Sequence, residues 1–77
     1  MNDKDGIKAI LDEYDRATEK FPPMHSAHEG YAVLLEEMDE LWDEVKKSPA
    51  TRNPTAMRKE AIQVGAMALR FIVDVCK

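Results

Sequence analysis

The sequence predicts an all-α protein, a short chain of three helices that completes a four-helix-type bundle by oligomerisation. Three observations support this: apolar residues recur at helical spacing in three segments, caps and prolines bound those segments, and no segment alternates as a strand does. The 77 residues suit a single domain, with helices expected at about 5–18, 27–47 and 54–76. A chain this short buries only about 60% of the surface that its unfolded form exposes, so small domains often need a metal or a partner chain for support.

The first predicted helix carries one apolar stripe. Its members fall at i, i+3, i+4 and i+7: Ile7, Ile10, Leu11 and Tyr14. Pro22 and Pro23 follow, and because a double proline cannot continue a helix, the first helix must end before them.

The second predicted helix has the strongest periodic signal. Ser26 and Glu29 have the spacing of a capping box, in which a serine caps the helix and a glutamate lies three residues later. Apolar residues then recur over about four turns: Tyr31, Leu34, Leu35, Met38, Leu41, Trp42 and Val45. Lys46 and Lys47 complement the dipole of the last turn, and Pro49 closes the helix.

The third predicted helix begins with Asn53 as its cap and Pro54 at its first position. From Ala61 to Val73 it is apolar on nearly every side, and a helix of this kind must be covered on most sides. Two other helices of one small chain can hardly provide that cover. We therefore expect a homodimer or homotetramer whose third helices pack together.

Composition disfavours several classes of function. The net charge of −4 disfavours binding to a nucleic acid polymer or to an anionic membrane. Cys76 is the only cysteine, so the chain has neither an internal disulfide nor a Cys/His zinc pattern. No apolar segment suggests a signal peptide or a bilayer span, so a cytoplasmic location is expected.

Carboxylates cluster on the second helix and recur early in the third. Glu37 and Glu40 lie three residues apart, so they project from one side of a helix and repel each other. With Met38 at the centre of the apolar face, Glu37 lies at the edge of that face and Glu44 follows on the same flank. A divalent cation such as Mg²⁺ or Mn²⁺ would remove the repulsion. The alternative is an acidic face that is simply solvated.

The third helix carries a narrow polar stripe with two possible interpretations. In the first interpretation, Glu60 is a metal ligand, Gln63 is a polar member of the site and Arg70 is a phosphate clamp. In the second, all three are polar groups at a subunit interface, and Arg70 pairs with Asp74. Trp42 is likewise open, because it could stack against a nucleobase or fill the core.

The segment from Ala27 to Trp42 resembles the acidic helix of the MazG-type, all-α nucleotide pyrophosphohydrolases. That family has an ExxE motif on one helix and an ExxD motif on the next. Glu37–Glu40 fits ExxE, and Glu60–Gln63 stands at the place of ExxD at a compatible distance. The resemblance covers roughly residues 24–74.

This resemblance implies hydrolysis of nucleoside triphosphates to a monophosphate and pyrophosphate by a dimer or tetramer that uses Mg²⁺. Carried over to this chain, the metal ligands would be Glu37, Glu40 and Glu60. Glu36 would be the nearby carboxylate that orients the attacking water.

Gln63 departs from the family motif, because an amide replaces the second carboxylate. Its carbonyl oxygen can hold a hard cation, but more weakly. The chain also ends after its third helix where the family usually has a fourth, so the covering role would fall to a second subunit. We favour the Mg²⁺-dependent pyrophosphohydrolase; the alternative is a noncatalytic helical module for oligomerisation or for binding a partner or a nucleotide.

Overall fold

The computed structural model describes residues 2–77, and within that range it contains three α-helices and no strand. The helices are α1, Asp3–Lys20; α2, Ala27–Val45; and α3, Pro54–Val75. The prediction of an all-α chain with three helices is confirmed.

Side-chain caps explain where the helices begin. The Asn2 side chain accepts a hydrogen bond of 2.9 Å from the Asp5 amide, so α1 starts at Asp3, two residues before the predicted start at about residue 5. Ser26 caps α2 as predicted, because its hydroxyl accepts from the Glu29 amide at 3.0 Å. The Glu29 carboxylate in turn accepts from the backbone of His25, one residue before the cap.

The cap of α3 also matches the prediction, whereas the end of α2 differs. The Asn53 side chain accepts from the amides of Thr55 and Ala56, and Pro54 occupies the first turn. The regular part of α2 stops at Val45, two residues short of the expected end. Differences of this size are ordinary at helix ends, which fray.

The third helix is the common support of the other two. It packs against both α1 and α2, whereas those two helices share no close backbone contact within residues 2–77. The core lies where the three meet: Ala17, Met24, Ala66 and Met67 are buried there. Because α1 and α2 stay apart, a pocket opens between them over α3.

The orientation of α2 about its own axis differs from the expectation that Met38 marks its buried side. The residues turned toward α3 follow a heptad spacing: Gly30, Leu34, Glu37, Leu41 and Glu44 are all at least half-buried. Met38 is exposed, together with Tyr31, Leu35 and Trp42. A glutamate thus lies near the middle of the helix face that packs against α3.

The core of the single chain is small for its length. No large side chain is fully buried, and the molecule extends 42 × 26 × 19 Å. Its radius of gyration is 13.3 Å, against about 11.5 Å for a compact chain of this length. Large apolar side chains remain exposed on every helix: Ile7, Leu11, Tyr31, Leu35, Met38, Trp42, Ile72 and Val73, with Phe21 just after α1. Within the described range no helix is long and apolar enough to cross a bilayer.

Two glycines mark where helices approach most closely. A Cβ at Gly30 would lie 2.5 Å from the Phe71 ring of α3, so α2 can reach α3 there only without a side chain. A Cβ at Gly65 would instead meet the flexible end of Ile10 at 2.9 Å. The first contact is with a rigid ring and the second with a terminal methyl group that can move.

We expect Gly30→Ala to lower the free energy of unfolding and Gly65→Ala to lower it less or leave it unchanged. Alanine gains about 1 kcal/mol in helix propensity at both positions, but overpacking costs about 1–3 kcal/mol where the neighbour cannot move. Urea denaturation of both variants measures the difference. Equal effects on stability would contradict the close approach at Gly30.

Candidate functional site

Three carboxylates from two helices converge at the α2–α3 contact. Oxygens of Glu37, Glu40 and Glu60 all lie within 4.8 Å of one another. Glu37 and Glu60 are half-buried, whereas Glu40 is exposed. The short connection between the helices turns α3 back along α2, and Glu40 and Glu60 lie at similar distances from that connection. The fold therefore brings the acidic segments of α2 and α3 together.

The cluster concentrates negative charge in a partly desolvated place. Burial raises the pKa of Glu37 to about 7, and the charges of Glu40, Glu60 and Glu36 add to the effect. Burial and the neighbouring Glu40 also raise the pKa of Glu60. One carboxylate oxygen of Glu37, Oε2, is buried and accepts no hydrogen bond. A proton or a cation bound to this oxygen would satisfy it and reduce the repulsion among the carboxylates.

The pocket between α1 and α2 adjoins this cluster at Glu37. Its volume is about 310 Å³, and it is lined by residues of all three helices and of the turn after α1. Its apolar walls are formed by Ala17, Phe21, Pro22, Met24, Val33 and Met67. Seven polar or charged residues also line it: Glu13, Arg16, Glu29, Glu36, Glu37, Gln63 and Arg70. A concave site that combines apolar walls with polar groups can bind a small organic molecule.

The structure brings most of the sequence-predicted site residues together. Glu36, Gln63 and Arg70 line the pocket, and Glu37 belongs to both the pocket and the carboxylate cluster. Trp42 does not join them: its side chain is 58% exposed on α2, and it does not line the pocket. Trp42 therefore neither fills the core of the single chain nor forms a wall of this pocket.

Arg70 occupies an unusual position for a charged residue. It is only 5% exposed, and its Nη2 donates a hydrogen bond of 2.7 Å to the carbonyl oxygen of Pro22. The nearest carboxylate oxygen belongs to Asp74, at 3.9 Å. The proximity of Arg70 to Asp74 agrees with one of the two interpretations of the polar stripe, but within the chain Arg70 is directed at the turn after α1.

Two pocket residues of α1 were not expected from the sequence. Glu13 and Arg16 line the pocket and form an ion pair, which lowers the pKa of the Glu13 carboxyl. The nearby Gln63 lowers it slightly further. Glu13 lies three residues after Ile10 and four before Ala17, both on the inward side of α1. A charged residue at this inward position, Glu13, was the sequence signal that could have indicated a pocket residue on α1.

Fold and site together define a small helical protein with a carboxylate cluster beside a pocket. No protein family, no curated protein and no solved structure matches the chain.

In the absence of divalent cations, the stability of the protein should fall as the pH rises through the range between about 4.5 and about 7. The folded state holds the Glu37 proton more tightly than the unfolded state, so raising the pH through this range removes a proton that favours folding. We expect Glu37→Gln to reduce this slope, to which the raised pKa of Glu60 also contributes, and to stabilise the chain at pH 8 by on the order of 1 kcal/mol, allowing for solvent screening.

Thermal unfolding in chelator at pH 5 and pH 8 measures this prediction. Glu19→Gln is a suitable control, because Glu19 is an exposed glutamate of α1 outside the cluster. A pH slope that is the same in Glu37→Gln and in the wild-type chain would contradict the assignment.

Proposed function

We propose that this protein hydrolyses nucleoside triphosphates to the monophosphate and pyrophosphate in a reaction that depends on Mg²⁺ or Mn²⁺. The observation that carries the proposal is the contact between a three-carboxylate cluster and a pocket with partly apolar walls, with Glu37 common to both. Such a site can hold a hard cation next to a bound organic molecule. The resemblance of the acidic segments to the MazG-type enzymes supports the same reaction.

The residues divide into ligands and a base. Glu37, Glu40 and Glu60 would hold the cation with oxygen ligands, the type that Mg²⁺ and Mn²⁺ prefer. A bound cation supplies neutralisation of the polyphosphate charge. Glu36, which precedes Glu37 and lines the pocket, would take the proton of the attacking water. The new phosphorus–oxygen bond forms as the anhydride bond to pyrophosphate breaks.

The apolar walls of the pocket suit the nucleoside half of such a substrate. Phe21 and Met24 offer an aromatic ring and a polarisable thioether, both of which pack well against a flat base. Gln63 would contribute an amide to the polar side of the pocket. It stands where the acidic motif has an aspartate, so the site has one negative charge fewer. This missing charge favours the alternative function, a noncatalytic module of the same fold that binds a partner or a nucleotide.

We also propose that the working form is a homodimer or homotetramer and that α2 provides its interface. Tyr31, Leu35, Met38 and Trp42 form an exposed stripe with the i, i+4, i+7, i+11 spacing of a coiled-coil seam. The third helix, expected from its sequence to form the interface, exposes two large apolar residues, Ile72 and Val73, both near its end. The second helix exposes four large apolar residues, more than either of the other helices, so we place the interface there.

The catalytic proposal predicts pyrophosphate release from ribo- or deoxyribonucleoside triphosphates in the presence of Mg²⁺ or Mn²⁺. Glu37→Gln should lower turnover by at least about 100-fold, because it removes the ligand shared by the cluster and the pocket. Mg²⁺ at about ten times its Kd should also stabilise the wild-type chain by about 1.4 kcal/mol and leave Glu37→Gln unaffected.

A panel of eight triphosphates with each metal, followed by pyrophosphate detection and thermal unfolding, tests both effects. Gln63→Asp restores the acidic motif and should strengthen metal binding or turnover. Metal-induced stabilisation without turnover would support the noncatalytic alternative. If the metal changes neither quantity in the wild-type chain, the acidic cluster is only a solvated surface.

The interface proposal predicts that Leu35→Gln together with Met38→Gln weakens self-association at least tenfold. Leu11→Gln is a matched control, because Leu11 of α1 is 47% exposed and Leu35 is 46% exposed. Sedimentation equilibrium measures the dissociation constants. Dissociation caused by the α1 control but not by the α2 variant would contradict the placement of the interface.

A further inference from the structure

The turn between α1 and α2 forms one wall of the pocket, and α3 holds it through two polar contacts. Arg70 Nη2 donates to the Pro22 carbonyl oxygen at 2.7 Å. One helical turn further along α3, Asp74 Oδ2 accepts from the backbone amide of Met24 at 3.0 Å. Arg70 Nη2 and Asp74 Oδ2 are 3.9 Å apart, so the two oppositely charged side chains attract each other.

This turn has little backbone structure of its own. Pro22 and Pro23 have no N–H group to donate. In the described part of the chain, no residue from Pro22 to Ser26 donates a backbone hydrogen bond to a backbone carbonyl. The conformation of the turn therefore depends on hydrogen bonds with side chains. The two of longest range in sequence involve Arg70 and Asp74.

Both contacts are partly buried. Met24 and Arg70 are each 5% exposed, and Met24 is one of the four buried residues of the core. Phe21, Pro22, Met24 and Arg70 all line the pocket. A shift of the turn would thus move an aromatic ring, a proline ring and a methionine that face the same space.

We propose that Arg70 and Asp74 are positioning residues that hold the wall Phe21–Met24 in place and thereby set the affinity of the pocket for the nucleoside part of the substrate. The second half of this proposal rests on the proposed function. It differs from a role of Arg70 as a phosphate clamp, because Nη2 of Arg70 is already engaged by the Pro22 carbonyl. A clamp would act on the polyphosphate, whereas the wall acts on the nucleoside.

The first test is amide hydrogen exchange, resolved by NMR, in Asp74→Ala, Asp74→Asn and the wild-type chain. Asp74→Ala should speed exchange at the Met24 amide at least tenfold relative to the Met67 amide in the middle of α3. Asp74→Asn keeps an acceptor oxygen and should restore part of the protection, which also covers the case that the alanine variant does not fold. Asp43→Ala, at an exposed ion pair of α2, is the control. Unchanged relative exchange at Met24 in both Asp74 variants overturns the proposal.

The second test separates the wall from the clamp by steady-state kinetics of Arg70→Lys. With the best triphosphate of the panel, KM should rise at least fivefold, while the inhibition constant of inorganic tripolyphosphate stays unchanged. Arg52→Lys is the control, because exposed Arg52 also donates to a backbone carbonyl, that of Val45, at 2.8 Å. Equal increases in both constants overturn the proposal in favour of a clamp. If the wild-type chain has no turnover, the proposed function fails, and Met24 exchange still decides whether α3 holds the wall.

Discussion

The placement of Glu37 on the inward side of α2 is the constraint on which the rest of the structure depends. A carboxylate at the middle of a helix contact is unfavourable unless a proton, a cation or a hydrogen bond compensates it. Here one of its oxygens is buried without a hydrogen-bond partner, and the neighbouring acids raise its pKa further. Glu37 is thus electrostatically destabilising at the position where the pocket meets the acidic cluster. Costs of this kind are typical of sites that act on a ligand.

The same orientation determines the surface of the molecule. With Glu37 turned toward α3, the apolar residues next to it in sequence must face outward, and Leu35, Met38 and Trp42 do so. The inward side of α2 therefore contributes little to the core, which contains four buried apolar residues. The small core and the exposed apolar stripe thus both result from the orientation of α2 about its own axis. Both are relieved if a second chain covers the stripe.

Local signals in the sequence were sufficient for the helices but not for the orientation of α2. Caps at Ser26 and Asn53 and the prolines locate the helix starts, because those effects act within a few residues. The expectation that Glu37 and Glu60 share one site came from the resemblance of their segments to a known pair of acidic motifs, and the structure does bring the two side chains together. The apolar face of α2 is so wide that periodicity alone centred it on Met38. Which half faces α3 depends on the close approach at Gly30, a contact between residues far apart in sequence.

The role of α3 as common support affects how substitutions combine. Because α1 and α2 each contact α3 and share no close backbone contact within residues 2–77, a change in one reaches the other through α3 or through the turn that joins them. Effects of distant substitutions in α1 and α2 on unfolding free energy should therefore add, whereas a change in α3 couples to both. The outer helices are then free to diverge independently in sequence, and α3 is the part of the chain whose residues must satisfy two neighbours at once.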